Sequence, residues 1–263
     1  MDHPPERGRA VMTRNPWSLY DELIETIPEG ARALDCQAGV SWTMVRSDRG
    51  GVGLAHTVKE TSRPFQYKGN LRDAPLRSVA RCIKSWNMVE ASIGMAAINA
   101  WYNTEARLNK LGAHWADRGG DVFTTLTGRV WGKKVAVVGH FPNIERKLKP
   151  VCHLTVLERN PQQGDYPDGA CEYLLPEQDF VFLTGMTLVN KTLPRLLELS
   201  SQAEVSLVGP SVPLTPILLS HGLQYLSGYC VTDLDVTEGI VRRGGKQEIF
   251  EGGRKVELKF LMG

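Results

Sequence analysis

Apolar positions recur with two different rhythms along this chain of 263 residues, and the change of rhythm divides it. Trp17, Leu19, Tyr20, Leu23, Ile24 and Ile27 fall at helical spacing behind Asn15 and Pro16, a capping residue followed by proline at the first helical position. Pro28, Glu29 and Gly30 end that helix. Residues 31–37, 40–47 and 52–58 then supply three short branched runs parted by Gly39 and by Gly50 and Gly51, which predicts a three-stranded meander. Leu76, Val79, Ala80 and Ile83 share a helical face, and Asn87 with Glu90 three positions on predicts a reciprocal capping box. Residues 89–103 are apolar nearly all round and rich in Ala and Gly, so this helix should be buried on most sides and approach its neighbours closely.

From Lys133 the pattern becomes strand, helix, strand. Strands are expected at 135–139, 153–158, 173–175, 180–184, 205–209 and 225–231, with helices over 188–199 and 216–222. Such alternation predicts a mainly parallel sheet covered on both faces. Residues 248–250 and 256–260, flanking Gly252 and Gly253, predict a terminal hairpin. The expected fold class is α/β: a tail at 1–14, an α+β unit at 15–118, and a Rossmann-like, mainly parallel unit at 119–263.

Composition narrows the function classes. Hydrophobic residues make up 42% and charged residues 23%, an ordinary globular balance, and the net charge of +2 argues against a nucleic-acid footprint. No apolar run approaches the roughly 20 residues that span a bilayer, and no signal segment is evident, so a soluble, cytoplasmic protein without membrane insertion is expected. The five cysteines form no C-x-x-C pair and read as reduced core residues.

The candidate chemistry gathers at strand ends. Gly139 and His140, Glu158, Thr184 and Gly185, Gly209 and Ser211, and Asp233 would converge at the carboxyl edge of one sheet, where α/β proteins bind ligands. Glu158 lies 19 residues beyond Gly139, near the interval of a ribose-binding acid. A dinucleotide is disfavoured, because His140, Phe141 and Pro142 stand where a phosphate loop needs glycines. His140 could bind an anion, relay a proton or ligate a metal. Asn190 could cap a helix or present an amide to a ligand, Thr192 reads as a cap, and Asp233 could equally cap the segment after it. Asn99 interrupts an apolar helix and must find hydrogen-bond partners, in the fold or on a ligand. His56 and the loop of Lys59, Glu60 and Thr61 read as structural and solvated.

The strings ASIGMAAINA (91–100), VAVVGHFP (135–142), LERNPQQGDYP (157–167), DFVFLTGMTLVNKTL (179–193) and GPSVPLTPILLSHG (209–222), in that order, resemble a bacterial and archaeal family named for heavy-metal chelation. The resemblance implies an enolase N-terminal-like domain followed by a Rossmann-like domain, with a site between them. Heavy-metal ligation favours clustered thiolates, imidazoles or carboxylates, and Cys152, Cys171 and His140 stand apart in the sequence. The expectation is therefore a small polar or anionic metabolite, or a metal chelate, bound in an interdomain cleft by Asn99, Gly139, His140, Glu158, Thr184, Gly185, Asn190, Gly209, Ser211 and Asp233. The alternative is a transferase using a nucleoside cofactor such as S-adenosylmethionine. Oligomerisation could complete the cleft.

Overall fold

The structure, a computed structural model, describes residues 15–60, 63–117 and 120–259; the tail expected at 1–14 lies outside them. The first helix runs over Ser18–Glu25 with Trp17, not Asn15, at its cap position and no side-chain cap; Asn15 Oδ1 accepts the Trp17 N–H at 3.1 Å in the turn before it. The expected meander follows as β1 (Arg32–Ala38), β2 (Trp42–Ser47) and β3 (Val52–His56). A short β4 (Ala74–Pro75) joins the other edge of β1, giving an antiparallel sheet of order β3-β2-β1-β4.

The apolar helix Met88–Tyr102 lies across this sheet. Small residues let it approach: a Cβ on Gly53 would sit 2.0 Å from the Ala96 carbonyl oxygen, and one on Gly94 2.0 Å from the Ile83 nitrogen. Only half of the expected capping box forms. Asn87 Oδ1 accepts the Glu90 N–H at 3.1 Å, but the Asn87 N–H is already taken by Ser85 Oγ at 3.0 Å. The Glu90 carboxylate accepts instead from Ser85 Oγ at 2.5 Å and from the Gln66 N–H at 3.1 Å.

The second sheet contains β5 (His114–Trp115), β6 (Lys134–Val138), β7 (His153–Glu158), β8 (Tyr166–Pro167), β9 (Phe180–Thr184), β10 (Glu204–Val208), β11 (Tyr225–Val231) and β12 (Gly253–Lys259). Their order is β5-β12-β11-β10-β9-β6-β7-β8. Pairing is parallel from β11 through β8, and β12 and β5 add antiparallel partners at one edge. The fold class is thus the expected one, an α+β arrangement followed by a mainly parallel sheet. The β5 residues precede position 118 yet pair within the second sheet. A single apolar cluster runs through both halves, joining Val45 and Ala96 to Val181 and Leu207.

Three local expectations are corrected. Residues 173–175 are not a strand: Cys171–Leu174 is helical and continues as a 3-10 turn at Leu175–Glu177. Cys171 and Leu175 are buried while Tyr173 is exposed, a helical alternation that three residues are too few to display. The helix expected over 188–199 is two, Met186–Val189 and Leu193–Leu199. Lys191 between them has φ +64°, and Asn190 Oδ1 accepts the Thr192 N–H and hydroxyl at 3.1 and 2.7 Å. Thr192 makes no side-chain cap of its own.

The terminal hairpin is likewise absent. Residues Gln247–Gly252 form a 3-10 segment, and β12 pairs along the whole of β11. Gly252 and Gly253 serve close approach, since a Cβ would lie 2.1 Å from Thr237 Oγ1 at the first and 2.2 Å from the Cys230 oxygen at the second.

Candidate functional site

Chain direction creates the crevice. From β6 the chain moves to β7 on one side and later returns to place β9 on the other, so the loops leaving β6 and β9 part at the carboxyl edge. Gly139 turns the chain there with φ +106°, and a Cβ would lie 2.9 Å from Thr184 Cγ2 on the neighbouring strand end. His140 follows. Its N–H donates to Glu158 Oε2 at 2.7 Å, and Glu158 Oε1 accepts the Asn160 N–H at 3.2 Å. The acid at the end of β7 therefore clamps the turn at the end of β6.

The His140 ring lies between two further carboxylates. Nδ1 is 2.9 Å from Asp165 Oδ2, and Nε2 is 3.8 Å from Glu145 Oε1. The Asp165 side chain is 2% exposed and the Glu145 side chain 33%. A carboxylate only accepts, so Asp165 sets the ring with its hydrogen on Nδ1, which leaves the Nε2 lone pair facing Glu145 in the neutral imidazole. Asp165 is itself held in place, since its Oδ2 also accepts the Gln162 N–H at 2.9 Å. His140, Glu145 and Asp165 are a group of nitrogen and oxygen donors that could hold a metal ion, the donor atoms lying within 4.8 Å of one another.

A cavity of about 780 Å³ opens at this edge, large enough for a metabolite-sized ligand. Gly139, His140, Glu158, Thr184 and Asn190 line it, and so do Trp42, His56 and Lys59 from the first half of the chain and Lys246 from the loop after the Leu234–Arg243 helix. The remaining expected site residues lie elsewhere. Gly185 packs so closely on the 211–212 backbone that a Cβ would lie 3.1 Å from it, and Gly209 turns the chain with φ +119°. Ser211 Oγ accepts the His56 N–H at 3.0 Å, tying β3 to the loop after β10. Asp233 caps the helix Leu234–Arg243, its Oδ1 accepting the Val236 N–H at 3.0 Å.

Asn99 is completely buried and does not line the cavity: its Nδ2 donates to the Leu54 and Pro210 carbonyls at 2.7 and 3.3 Å. Asn103, one turn further along, stitches the halves more fully. Its Nδ2 donates to the Val212 and Tyr229 carbonyls, and its Oδ1 accepts the Leu214 N–H. Glu145 and Asp165 were not legible as site residues, for Glu145 sits in a charged run that reads as solvated surface, and Asp165, though inside the family-like string 157–167, has no spacing that marks it as a ligand. All five thiols are free. Burial pushes Cys36, Cys82 and Cys230 up to about 12 and Cys152 and Cys171 up to about 11. Among the described residues, no helix is long and apolar enough to cross a membrane.

Comparison with known proteins places this geometry. The sequence model of a family described as "Putative heavy-metal chelation" matches residues 121–260, and a second with the same description matches residues 20–102. An uncharacterized protein of Methanocaldococcus jannaschii is 28% identical over 249 residues, covering 89% of this chain and 92% of its own. The crystal structure of a protein of unknown function from Desulfitobacterium hafniense, of the family matched at 121–260, is similar with a TM-score of 0.86. It shares 45% identity over 93% of this chain and 98% of its own. A protein of that family from Pyrococcus horikoshii, 24% identical over 92% of this chain and 98% of its own, shares the fold with a TM-score of 0.77. The transferase reading has no support from these relatives.

Proposed function

The chain belongs to the family described as "Putative heavy-metal chelation", and from that premise we propose that its cleft binds a small organic ligand carrying a divalent metal ion. The cleft lies between an α+β unit at 15–118 and a Rossmann-like unit at 119–263. The observation that carries the reading is the setting of His140, a member both of the cavity wall and of the donor group with Glu145 and Asp165.

The donor chemistry defines which metals fit. Soft heavy ions prefer thiolates, but the thiols here are dispersed along the chain and held neutral by burial, so they supply no thiolate cage. Imidazole and carboxylate suit borderline divalent ions such as zinc, nickel and cobalt. Two ligand atoms each about 2 Å from one ion can lie up to about 4 Å apart, and the 3.8 Å between His140 Nε2 and Glu145 Oε1 satisfies that limit. Those two groups would hold the ion. Asp165 would act from behind, orienting the imidazole and raising its basicity, as a carboxylate commonly does for a metal-bound histidine. Two protein donors leave most of the coordination sphere to the ligand, which matches a cavity far larger than an ion.

The test is titration of zinc, and separately nickel, into the metal-stripped full chain. The His140→Ala, Glu145→Gln double variant should weaken binding by well over about tenfold, because both protein donors are gone. Wild-type affinity in that variant overturns the reading.

A further inference from the structure

The cavity wall carries a second set of polar groups besides His140, with lysines among them. His56 ends β3 and pairs across the sheet with Trp42, the two rings meeting edge to face at 5.3 Å. Trp42 Nε1 in turn donates to the Lys246 carbonyl at 2.9 Å, which brings the loop after the Leu234–Arg243 helix against the same pair. Lys59 lies three residues beyond His56, and all four residues line the cavity.

His56 is a costly residue for this position unless its ring is used. Its Nδ1 is buried without a hydrogen-bond partner. Burial, and after it the neighbouring charge of Lys246, lower its pKa and favour the neutral ring. With no acceptor at Nδ1, the ring hydrogen of the neutral form belongs on Nε2, and the Thr57 backbone beside the ring acts weakly the other way, favouring the charged form. A phenylalanine would keep the edge contact with Trp42 and remove a buried unpaired nitrogen, which ordinarily costs stability. A residue that breaks local consistency in this way, on a cavity wall, is a mark of function.

The other charges on the wall are mostly spoken for. Both Glu158 oxygens accept backbone N–H groups, and Arg159 pairs with Asp168 at 3.2 Å. Glu60, next to Lys59 in the chain, is the third acid lining the cavity with Glu158 and Asp168. Among the described residues, neither lysine ammonium has a carboxylate oxygen within 4.0 Å, while the backbone N–H of Lys246 donates to Glu248 Oε2 at 2.9 Å.

We propose that His56, Lys59 and Lys246 form an oxyanion subsite, which takes a carboxylate or phosphate group of the ligand bound in the cleft. This deepens the proposed function and rests on the cleft being a ligand site, but not on a metal at His140. The cavity then has two unlike poles: donors of hydrogen bonds and positive charge toward the first sheet, and metal-type donors at the end of β6. A ligand satisfying both is a chelate that keeps an anionic group free of its metal.

The experiment is calorimetric titration of two metal-free probes, citrate and inorganic pyrophosphate, into the metal-stripped full chain. The two arms distinguish a carboxylate from a phosphate source. The Lys59→Gln, Lys246→Gln double variant should bind the preferred probe about tenfold more weakly, the worth of two partly solvated ion pairs, and with a shallower salt dependence. His56→Phe should weaken binding while raising the thermal unfolding temperature, and His56→Gln, which restores an N–H donor, should recover part of the affinity. Unchanged affinity for both probes in the lysine double variant overturns the subsite, and so does failure of wild type to bind either. Lysine-dependent binding of citrate or pyrophosphate by a protein that binds no zinc would support the subsite and remove the metal reading alone.

Discussion

Asp165→Asn tests the carboxylate that stands behind His140, off the cavity wall. Asp165 Oδ2 accepts from both His140 Nδ1 and the Gln162 N–H at 2.9 Å, from a side chain only 2% exposed. Asparagine has nearly the same shape, so the loop should persist and the fold should be unharmed. The carboxylate charge is lost. A hydrogen bond to a charged partner contributes about 1.5–3 kcal/mol and a neutral one about 0.5–1.5 kcal/mol, so the exchange removes on the order of 1–1.5 kcal/mol of support for the Nδ1–H ring. At 1.4 kcal/mol per factor of ten that is close to tenfold in metal affinity, the lower end of what second carboxylates contribute behind metal-bound histidines. The amide can also rotate its NH₂ toward Nδ1, which favours the tautomer with hydrogen on Nε2 and moves the loss upward. Competition against a chromophoric chelator would measure it with zinc, and the visible absorption of bound cobalt would report a changed ligand field. Zinc affinity within about twofold of wild type, in a variant of unaltered unfolding midpoint, would refute the argument that Asp165 orients a metal-binding imidazole.

Two further outcomes concern the frame around the site. Asn103→Ala strands two buried carbonyls and one N–H, at about 1–3 kcal/mol each, so it should cost roughly 3–9 kcal/mol in urea unfolding. Asn99→Ala removes two donated bonds and also an unpartnered Oδ1, so its cost should be visibly smaller; equal costs would contradict this division of roles. The thiols make a pH prediction. Their folded values of about 11 to 12 exceed the ordinary value of 9.0, so they contribute stability that is complete below pH 9 and is lost as pH rises through 11 to 12. Lys191, lowered to about 8 by burial, acts in the opposite sense between pH 8 and its ordinary 10.5. The urea midpoint should therefore fall above pH 9, and fall more steeply in Lys191→Met; a midpoint level to pH 11 in that variant would overturn the assignment.

What could be read from the chain follows from which interactions are local. Gly139, His140 and Glu158 were legible because a parallel crossover places the first strand's end and the second strand's end at one edge whatever the loops contain. Asn99 was legible as a buried amide needing partners, but the Leu54 and Pro210 carbonyls that satisfy it lie 45 and 111 positions away. Asn103 makes the fuller bridge, and it was hidden because an asparagine at a helix end reads as a terminator. Gly252 and Gly253 misled for a related reason. Two glycines signal a turn from sequence, while here they answer to Thr237 and Cys230, contacts that only the packed sheet supplies.

The oxyanion wall shows the same limit at the level of charge. Lys59 and Lys246 each read as solvated surface, and no pattern in the sequence relates them. Their meeting depends on a small apolar cluster in which Trp42, Met44 and Leu54 of the first sheet pack on Tyr229, Ile240, Val241 and Ile249. That cluster docks the Leu234–Arg243 helix on β2, and the loop leaving the helix then falls beside Trp42, whose indole N–H donates to the Lys246 carbonyl. Core packing between the halves thus sets the charge of the cavity. An anion site that exists only when the two sheets are docked, facing an imidazole positioned by the second sheet alone, makes ligand recognition a property of the assembled cleft. Neither half of the chain carries both poles.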